Sequence, residues 1–163
     1  MSHNAPIVNE VQEGDIERIA EMMYADMLDL GANPSLDSLL ELCASAHKDA
    51  QSERGVLFLA ARAEEGGAAI GMLLAHERLS VRFGGRALWV EELYVDPSGR
   101  MGGIGRALVT RALQLARARG LRGVDLEAYR MNTGASILYR SIGFDRLARE
   151  RYALALDDLD WDA

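Results

Sequence analysis

The chain has 163 residues, 49% apolar and 26% charged, with a formal net charge of -7. That length buries one proper core and falls short of two ordinary domains, so a single domain over 1–163 is expected. The acidic balance argues against a general nucleic-acid binder, which needs a basic face against phosphate, and fits a cationic partner better.

The lone Cys43 cannot close an intrachain disulfide, and His3, His47 and His76 lack a metal-ligand spacing, so no metal and no disulfide framework are expected. Cys43 reads as a buried structural thiol in a helix. No run approaches the roughly 18 apolar residues that cross a bilayer, and the start, Met1 to Pro6, has no basic-then-apolar signal region. No membrane partner and a cytoplasmic location are the resulting expectations.

Ile7 to Val11 reads as a strand, and Asp15 as the N-cap of an amphipathic helix through Ile16, Ile19, Met23, Met27 and Leu30. Ser35 caps a second helix carrying Leu36, Leu39, Leu40 and Cys43 on one face. Val56–Ala61, Ala69–Leu79 and Ala87–Val95 follow as strands of an antiparallel meander, divided by the glycine turns near Gly66 and Gly84. A glycine-rich loop opens a helix over Gly103–Arg119, then come a strand over Val124–Ala128 and a helix over Thr133–Ser141. Two last strands are predicted near Phe144–Ala148 and Tyr152–Leu156. The order is β-α-α-β-β-β-α-β-α-β-β, an α/β mixture that by itself names no function.

Arg100-Met101-Gly102-Gly103-Ile104-Gly105 lies between a strand and a helix, where unpaired amides and the positive end of the helix dipole face outward together. Glycines there admit positive φ and let the backbone approach a pyrophosphate, with Arg100 and Arg106 adding charge at the rim. A glycine turn without a ligand is the bland alternative. A dinucleotide fingerprint starting at Gly103 needs Gly or Ala where Leu108 stands, and no Gly-Lys-Ser/Thr tripeptide occurs for a Walker loop.

Arg100-x-x-Gly103-x-Gly105 after Glu91-Glu92-Leu93-Tyr94-Val95-Asp96-Pro97 resembles the acyl-CoA motif of the GNAT N-acetyltransferase superfamily. Asn132-x-x-Ala135-x-x-Leu138-Tyr139 followed by Ile142-Gly143-Phe144 resembles that family's later motif, at the expected distance. One departure is Met101, where many members place glycine. The resemblance implies an α/β (α+β) fold: a mixed, mostly antiparallel sheet of about seven strands with helices on both faces, splayed between the fourth and fifth strands. It implies acetyl-CoA as co-substrate and an amine-bearing small molecule or peptide as acceptor, attacked directly in a ternary complex. A non-catalytic acyl-CoA sensor or an interaction domain is the alternative.

In that resemblance the pantetheine arm lies in the splay as a pseudo-strand against the backbone of Leu93, Tyr94 and Val95. An amide near the thioester carbonyl would stabilise the developing oxyanion. The loop 100–106, Asn132, Ala135, Tyr139 and Arg140 would hold the rest of the cofactor, Asn132 by bonding pantetheine or by capping the following helix, and Arg140 by reaching a phosphate, with a solvated surface arginine as its other reading.

An alkylamine is protonated at neutral pH, so a base must collect a proton before attack. Glu91, Glu92 and Glu127 compete; strand alternation sends Glu91 and Glu92 to opposite faces, so at most one of them points at the thioester. Glu91 matches the glutamate of polyamine-type members and is favoured; Glu127 matches that of members acting on protein N-termini. For each, an edge carboxylate with only a solvation role is the other reading. Tyr139 matches the family's general acid for the departing thiolate, against half-buried packing. Tyr24, Asp26 and Asp29 on the first helix face a cationic acceptor or plain solvent. The acidic tail 157–163 reads as a solvated end, with a lid or a homodimer contact as the sharper alternatives.

Overall fold

The computed structural model describes residues 5–156; the acidic tail 157–163 and His3 lie outside them. Strand β1 (Ile7–Glu10) leads into helices α1 (Ile16–Asp29) and α2 (Leu36–Gln51). The meander β2 (Val56–Arg62), β3 (Gly71–Ser80) and β4 (Gly85–Val95) is followed by helix α3 (Ile104–Ala118), strand β5 (Val124–Leu126) and helix α4 (Thr133–Ile142). The described strands form one sheet in the order β1-β2-β3-β4-β5. The first four pair antiparallel, while β5 joins β4 parallel. A parallel neighbour needs a crossover, and α3 is that crossover.

Alternation along the strands divides the core in two. Phe58, Ala60, Met72, Leu74 and Tyr94 meet Ile19, Met22, Met23, Leu39 and Cys43 of α1 and α2 on one face. Leu57, Leu59, Leu73, Ala75, Leu88 and Val90 meet Ile104, Leu108 and Ala112 of α3 on the other. Helices therefore cover both faces, as expected. Cys43 is buried against Met23, and burial pushes its thiol up to about 11, the behaviour of a packing residue.

Ser35 caps α2 by accepting from the Ser38 amide at 3.1 Å. Asp15 does not cap α1. Its carboxylate instead accepts from the Gln12 amide at 2.9 Å, closing a short 3-10 turn over Glu13–Asp15, and pairs with the part-buried Arg62 at the end of β2. The Arg62 partner competes for the carboxylate that local sequence assigns to the helix.

The two last expected strands are absent among the described residues, so the sheet has five strands where about seven were expected. Phe144–Ala148 and Tyr152–Leu156 carry no strand pairing, and Tyr152 and Leu154 are exposed. Their alternation is interrupted by Asp145, Arg146, Arg149, Glu150 and Arg151, and β5, the edge they would join, has only three residues.

Candidate active site

β4 contains a β-bulge. Leu74 faces Glu92 and Ala75 faces Val90 across the β3–β4 ladder, leaving Glu91 as the extra residue. Leu88 and Val90 point into the α3-side core, so Glu91 follows Trp89 to the α1–α2 side, where its carboxylate accepts from Trp89 Nε1 at 2.8 Å. The bulge then resets the alternation, and Glu92 points to the same side, against Asp26 of α1. The expectation that Glu91 and Glu92 take opposite faces is therefore overturned. An inserted residue cancels the period of two that the expectation used.

The splay is present. β5 pairs with β4 only from Leu88↔Val124 to Val90↔Leu126, and β4 runs on to Val95 without it. The Asp96 amide bonds the Ile70 carbonyl on the β3 side, so alternation turns Leu93 and Val95 backbone groups toward the gap. Side chains of the chain itself satisfy two of these groups. The Leu93 amide donates to Glu92 Oε1 at 3.1 Å, and Arg100 Nε donates to the Val95 carbonyl at 3.0 Å.

Glu92 has a proton affinity unlike that of an ordinary carboxylate. Burial is the main cause, the facing Asp26 adds to it, the Leu93 amide opposes it, and the carboxyl is pushed up to about 7. Asp26 is also raised, chiefly by burial; its hydrogen bond with Glu92 opposes this, Asp29 adds and Arg100 opposes, so the two carboxyls share one proton site, with Glu92 the one raised by that bond. Tyr139 is 9% exposed, its ring edge-on to Phe144 at 5.9 Å, and burial followed by the charge of Glu92 pushes its phenol up to about 12. A carboxyl near neutrality and a tyrosine that senses its charge thus meet at the open half of β4.

The loop ahead of α3 has the free backbone donors that a pyrophosphate would need. Gly103, at φ 78°, is the N-cap and offers no side chain to the first-turn amides of Ile104, Gly105 and Arg106; that turn carries no acidic residue. A Cβ on Gly105 would lie 3.3 Å from Leu138 Cδ2, so this glycine also lets α4 approach α3. Met101 takes the left-handed conformation at φ 65° and is fully exposed. Asp96 steadies the entry by accepting from the Ser98 amide and hydroxyl at 3.0 and 2.7 Å, which holds its carboxyl below the usual carboxylate range.

The family profile described as "Acetyltransferase (GNAT) family" matches residues 19–144. The chain belongs to the GNAT acetyltransferase family. It is 40% identical to a mycothiol acetyltransferase of Amycolatopsis mediterranei over 89 residues, which are 52% of this chain and 29% of that protein. The chain thus matches less than a third of that relative's length. A transcriptional regulator from Bacillus halodurans C-125 superposes with a TM-score of 0.76 at 22% identity, covering 92% of this chain and 99% of that one. AAC(6')-Iy, solved in complex with the bisubstrate analogue CoA-S-monomethyl-acetylneamine, superposes with a TM-score of 0.73 at 15% identity, covering 93% and 99%. At these identities the two structures share the GNAT fold.

The remaining sequence-derived candidates of this GNAT chain are distributed as follows. Glu127 lies one residue beyond β5, not within it, and its exposed carboxylate is paired with Arg151 at 2.9 Å. Asn132 caps α4 by accepting from the Ala135 amide at 3.0 Å. Arg106 donates to Ser141 Oγ at 2.6 Å, tying α3 to α4, and its guanidinium is thereby turned from the loop rim to α4. Arg140 is exposed on α4. Arg100 lies over the Tyr94 ring with its Cζ 5.8 Å from the centroid. The resemblance favours Glu91, and the sequence gives no sign that Glu92 joins it on the α1 side, because the bulge that puts it there depends on register against β3.

Proposed function

We propose that this chain is an acetyl-CoA-dependent N-acetyltransferase acting on a primary amine of a small molecule or peptide by direct attack in a ternary complex. The observation that carries this reading is the convergence on one splay of the uncapped α3 amides, the Leu93 amide, the near-neutral Glu92 and Tyr139. Acetyl-CoA, when bound, supplies an acyl carbon activated by its thioester. The amides of Ile104, Gly105 and Arg106, with Arg100, hold the pyrophosphate. The Leu93 amide polarises the thioester carbonyl and stabilises negative charge developing on its oxygen.

Glu92, in place of the Glu91 that the resemblance favours, accepts the proton lost as the amine nitrogen bonds the acyl carbon. A base with a pKa near the working pH is ionised in part and still basic enough to help. Glu91 serves the Trp89 indole and Glu127 serves Arg151, so both carboxylates have other partners. As the carbon–sulfur bond breaks, Tyr139 gives its phenolic proton to the leaving sulfur. The two groups are coupled in the useful direction. Once Glu92 has taken the amine proton its charge is gone, one cause of the raised Tyr139 pKa disappears, and the phenol becomes a better acid for the thiolate.

The acidic side chains Asp26, Asp29, Glu91 and Glu92 on the α1 side favour a cationic acceptor. A thiol-release assay over a panel of amines and peptide N-termini tests the reading: acyl transfer to at least one amine, lost in Gly105→Val, is expected. Binding of acetyl-CoA with no transfer to any amine would favour the sensor alternative.

A further inference from the structure

The two backbone groups assigned above to the acyl donor are the same two that side chains occupy in the structure. Glu92 Oε1 holds the Leu93 amide, and Arg100 Nε holds the Val95 carbonyl. Each of these side chains also stands next to a second part of the site. Glu92 faces the acceptor side beside Asp26, and Arg100 is at the mouth of the pyrophosphate loop. Where β5 leaves β4, a bare amide and a bare carbonyl would have to be satisfied by something, and here a carboxylate and a guanidinium do so.

Resting on the acyl-CoA reading above, we propose that Glu92 and Arg100 are place-holders in the splay. Glu92 gives up the Leu93 amide to the thioester carbonyl, Arg100 gives up the Val95 carbonyl to the pantetheine arm, and the two side chains swing to the acceptor amine and the pyrophosphate. Each exchange replaces one hydrogen bond by another, so seating the donor leaves no backbone group unsatisfied. The device orders the reaction. Glu92 is engaged with its own backbone until an acyl carbonyl arrives, and an acceptor meets a free base only in the loaded protein.

The consequence for Glu92 has a definite sign. Its bond to the Leu93 amide favours the ionised form, so losing that bond raises its affinity for a proton. The other groups facing it are Asp26 and, beyond it, Asp29 on α1, Glu91 on β4, Tyr139 on α4 and the Arg100 guanidinium, which acts on Asp26. Of these only Arg100 moves, and it acts on Asp26 and not on Glu92 directly. Free coenzyme A has no acyl carbonyl, so it should release Arg100 and leave Glu92 on the Leu93 amide.

Amide NMR of the full chain reads this directly. In the protein alone the Leu93 amide shift should titrate with a midpoint at about 7, following Glu92, and this titration should vanish in Glu92→Gln. Saturating acetyl-CoA without an amine should abolish the Leu93 titration, while free coenzyme A should move the Gly103 and Gly105 amides and leave it in place. Leu93 still titrating in the acetyl-CoA complex, or losing its titration equally with coenzyme A, would overturn the inference while the acyl-CoA reading stands. If neither molecule moves the Gly103 and Gly105 amides, the acyl-CoA reading itself fails and takes the inference with it.

Discussion

Tyr139 senses Glu92 across the open half of β4: the carboxylate charge of Glu92 is, after burial, the second of two causes that push the Tyr139 phenol up to about 12. Neither residue owes its environment to its own element alone. Glu92 is turned toward α1 by the bulge at Glu91, and Tyr139 is brought in by α4, whose approach to α3 is permitted by Gly105. The pair exists because β5 stops pairing at Val90.

Glu92→Gln should lower turnover by about 10²- to 10⁴-fold, the range for a lost general base, with Glu91→Gln and Glu127→Gln costing far less. Wild-type kcat/KM for acetyl-CoA, which reports the unloaded protein, should fall as pH drops through about 7, because the base is then protonated, and this limb should be missing in the variant. The same substitution should stabilise the fold. The carboxyl binds its proton more tightly folded, at about 7, than at the ordinary 4.5. Its contribution to stability is therefore full below about 4.5 and lost as pH rises through about 7. At pH 8, urea unfolding should show the Gln variant more stable by about 1 to 3 kcal/mol, and at pH 4 the difference should close. Equal pH dependence of the two proteins would show that Glu92 is not the perturbed group.

For Tyr139→Phe the edge contact to Phe144 and the buried ring are retained, and only the hydroxyl is lost. A purely structural tyrosine would then cost about 0.5 to 1.5 kcal/mol of stability and little rate. As general acid its loss should reduce turnover by about 10²- to 10⁴-fold with acetyl-CoA affinity nearly unchanged. The effect should shrink with an acyl donor whose thiol is more acidic, since that leaving group needs no proton. Retention of more than about a third of wild-type turnover with acetyl-CoA would return Tyr139 to packing, and the proton would come from water.

The parts of the site that depend on local spacing are legible in the sequence. The glycines of the loop, the Ser35 cap and the Asn132 cap are each decided within a few residues, and the structure has them where the spacing puts them. The face taken by Glu92 is not legible, because a bulge is a property of two strands: nothing in Val90-Glu91-Glu92-Leu93 says that Leu74 and Ala75 will skip a residue. Asp15 departs from its expected cap for a similar reason, since the Arg62 that claims its carboxylate lies 47 residues away. The last two strands rest on alternating apolar residues alone, and alternation makes a strand only where an edge exists to receive it.

Gly105→Val should weaken acetyl-CoA binding by at least tenfold, about 1.4 kcal/mol, by crowding the first-turn amides and forcing Leu138 away. Because Leu138 precedes Tyr139, kcat should fall as well. Gly105→Ala, with its Cβ 3.3 Å from Leu138 Cδ2, should be intermediate in calorimetry. Wild-type affinity in a folded Val variant would show that no pyrophosphate approaches this turn.

Met101 supplies the test in which the loop should improve. It is a non-glycine residue at φ 65°, and an L side chain in the left-handed region costs about 1 to 2 kcal/mol. Its side chain is 103% exposed, so replacing it removes no packing. Glycine adopts this φ without penalty but gives the unfolded chain more freedom, which returns about 0.4 to 1 kcal/mol. The balance favours Met101→Gly by about 0.5 to 1 kcal/mol in denaturant unfolding, with no change in the m-value because no buried surface is altered. Cofactor binding separates two ways in which the loop can work. If the left-handed residue is already in its binding conformation, the stability gain applies equally to the free and loaded protein, and acetyl-CoA affinity should be unchanged within about twofold. If the loop must rearrange at Met101 to meet the pyrophosphate, glycine eases that rearrangement and affinity should rise by more than about threefold. The Gly103 φ of 78°, already aiming the α3 amides outward next door, favours the first outcome. A loss of stability in Met101→Gly would mean that Met101 is not held in the left-handed region in solution.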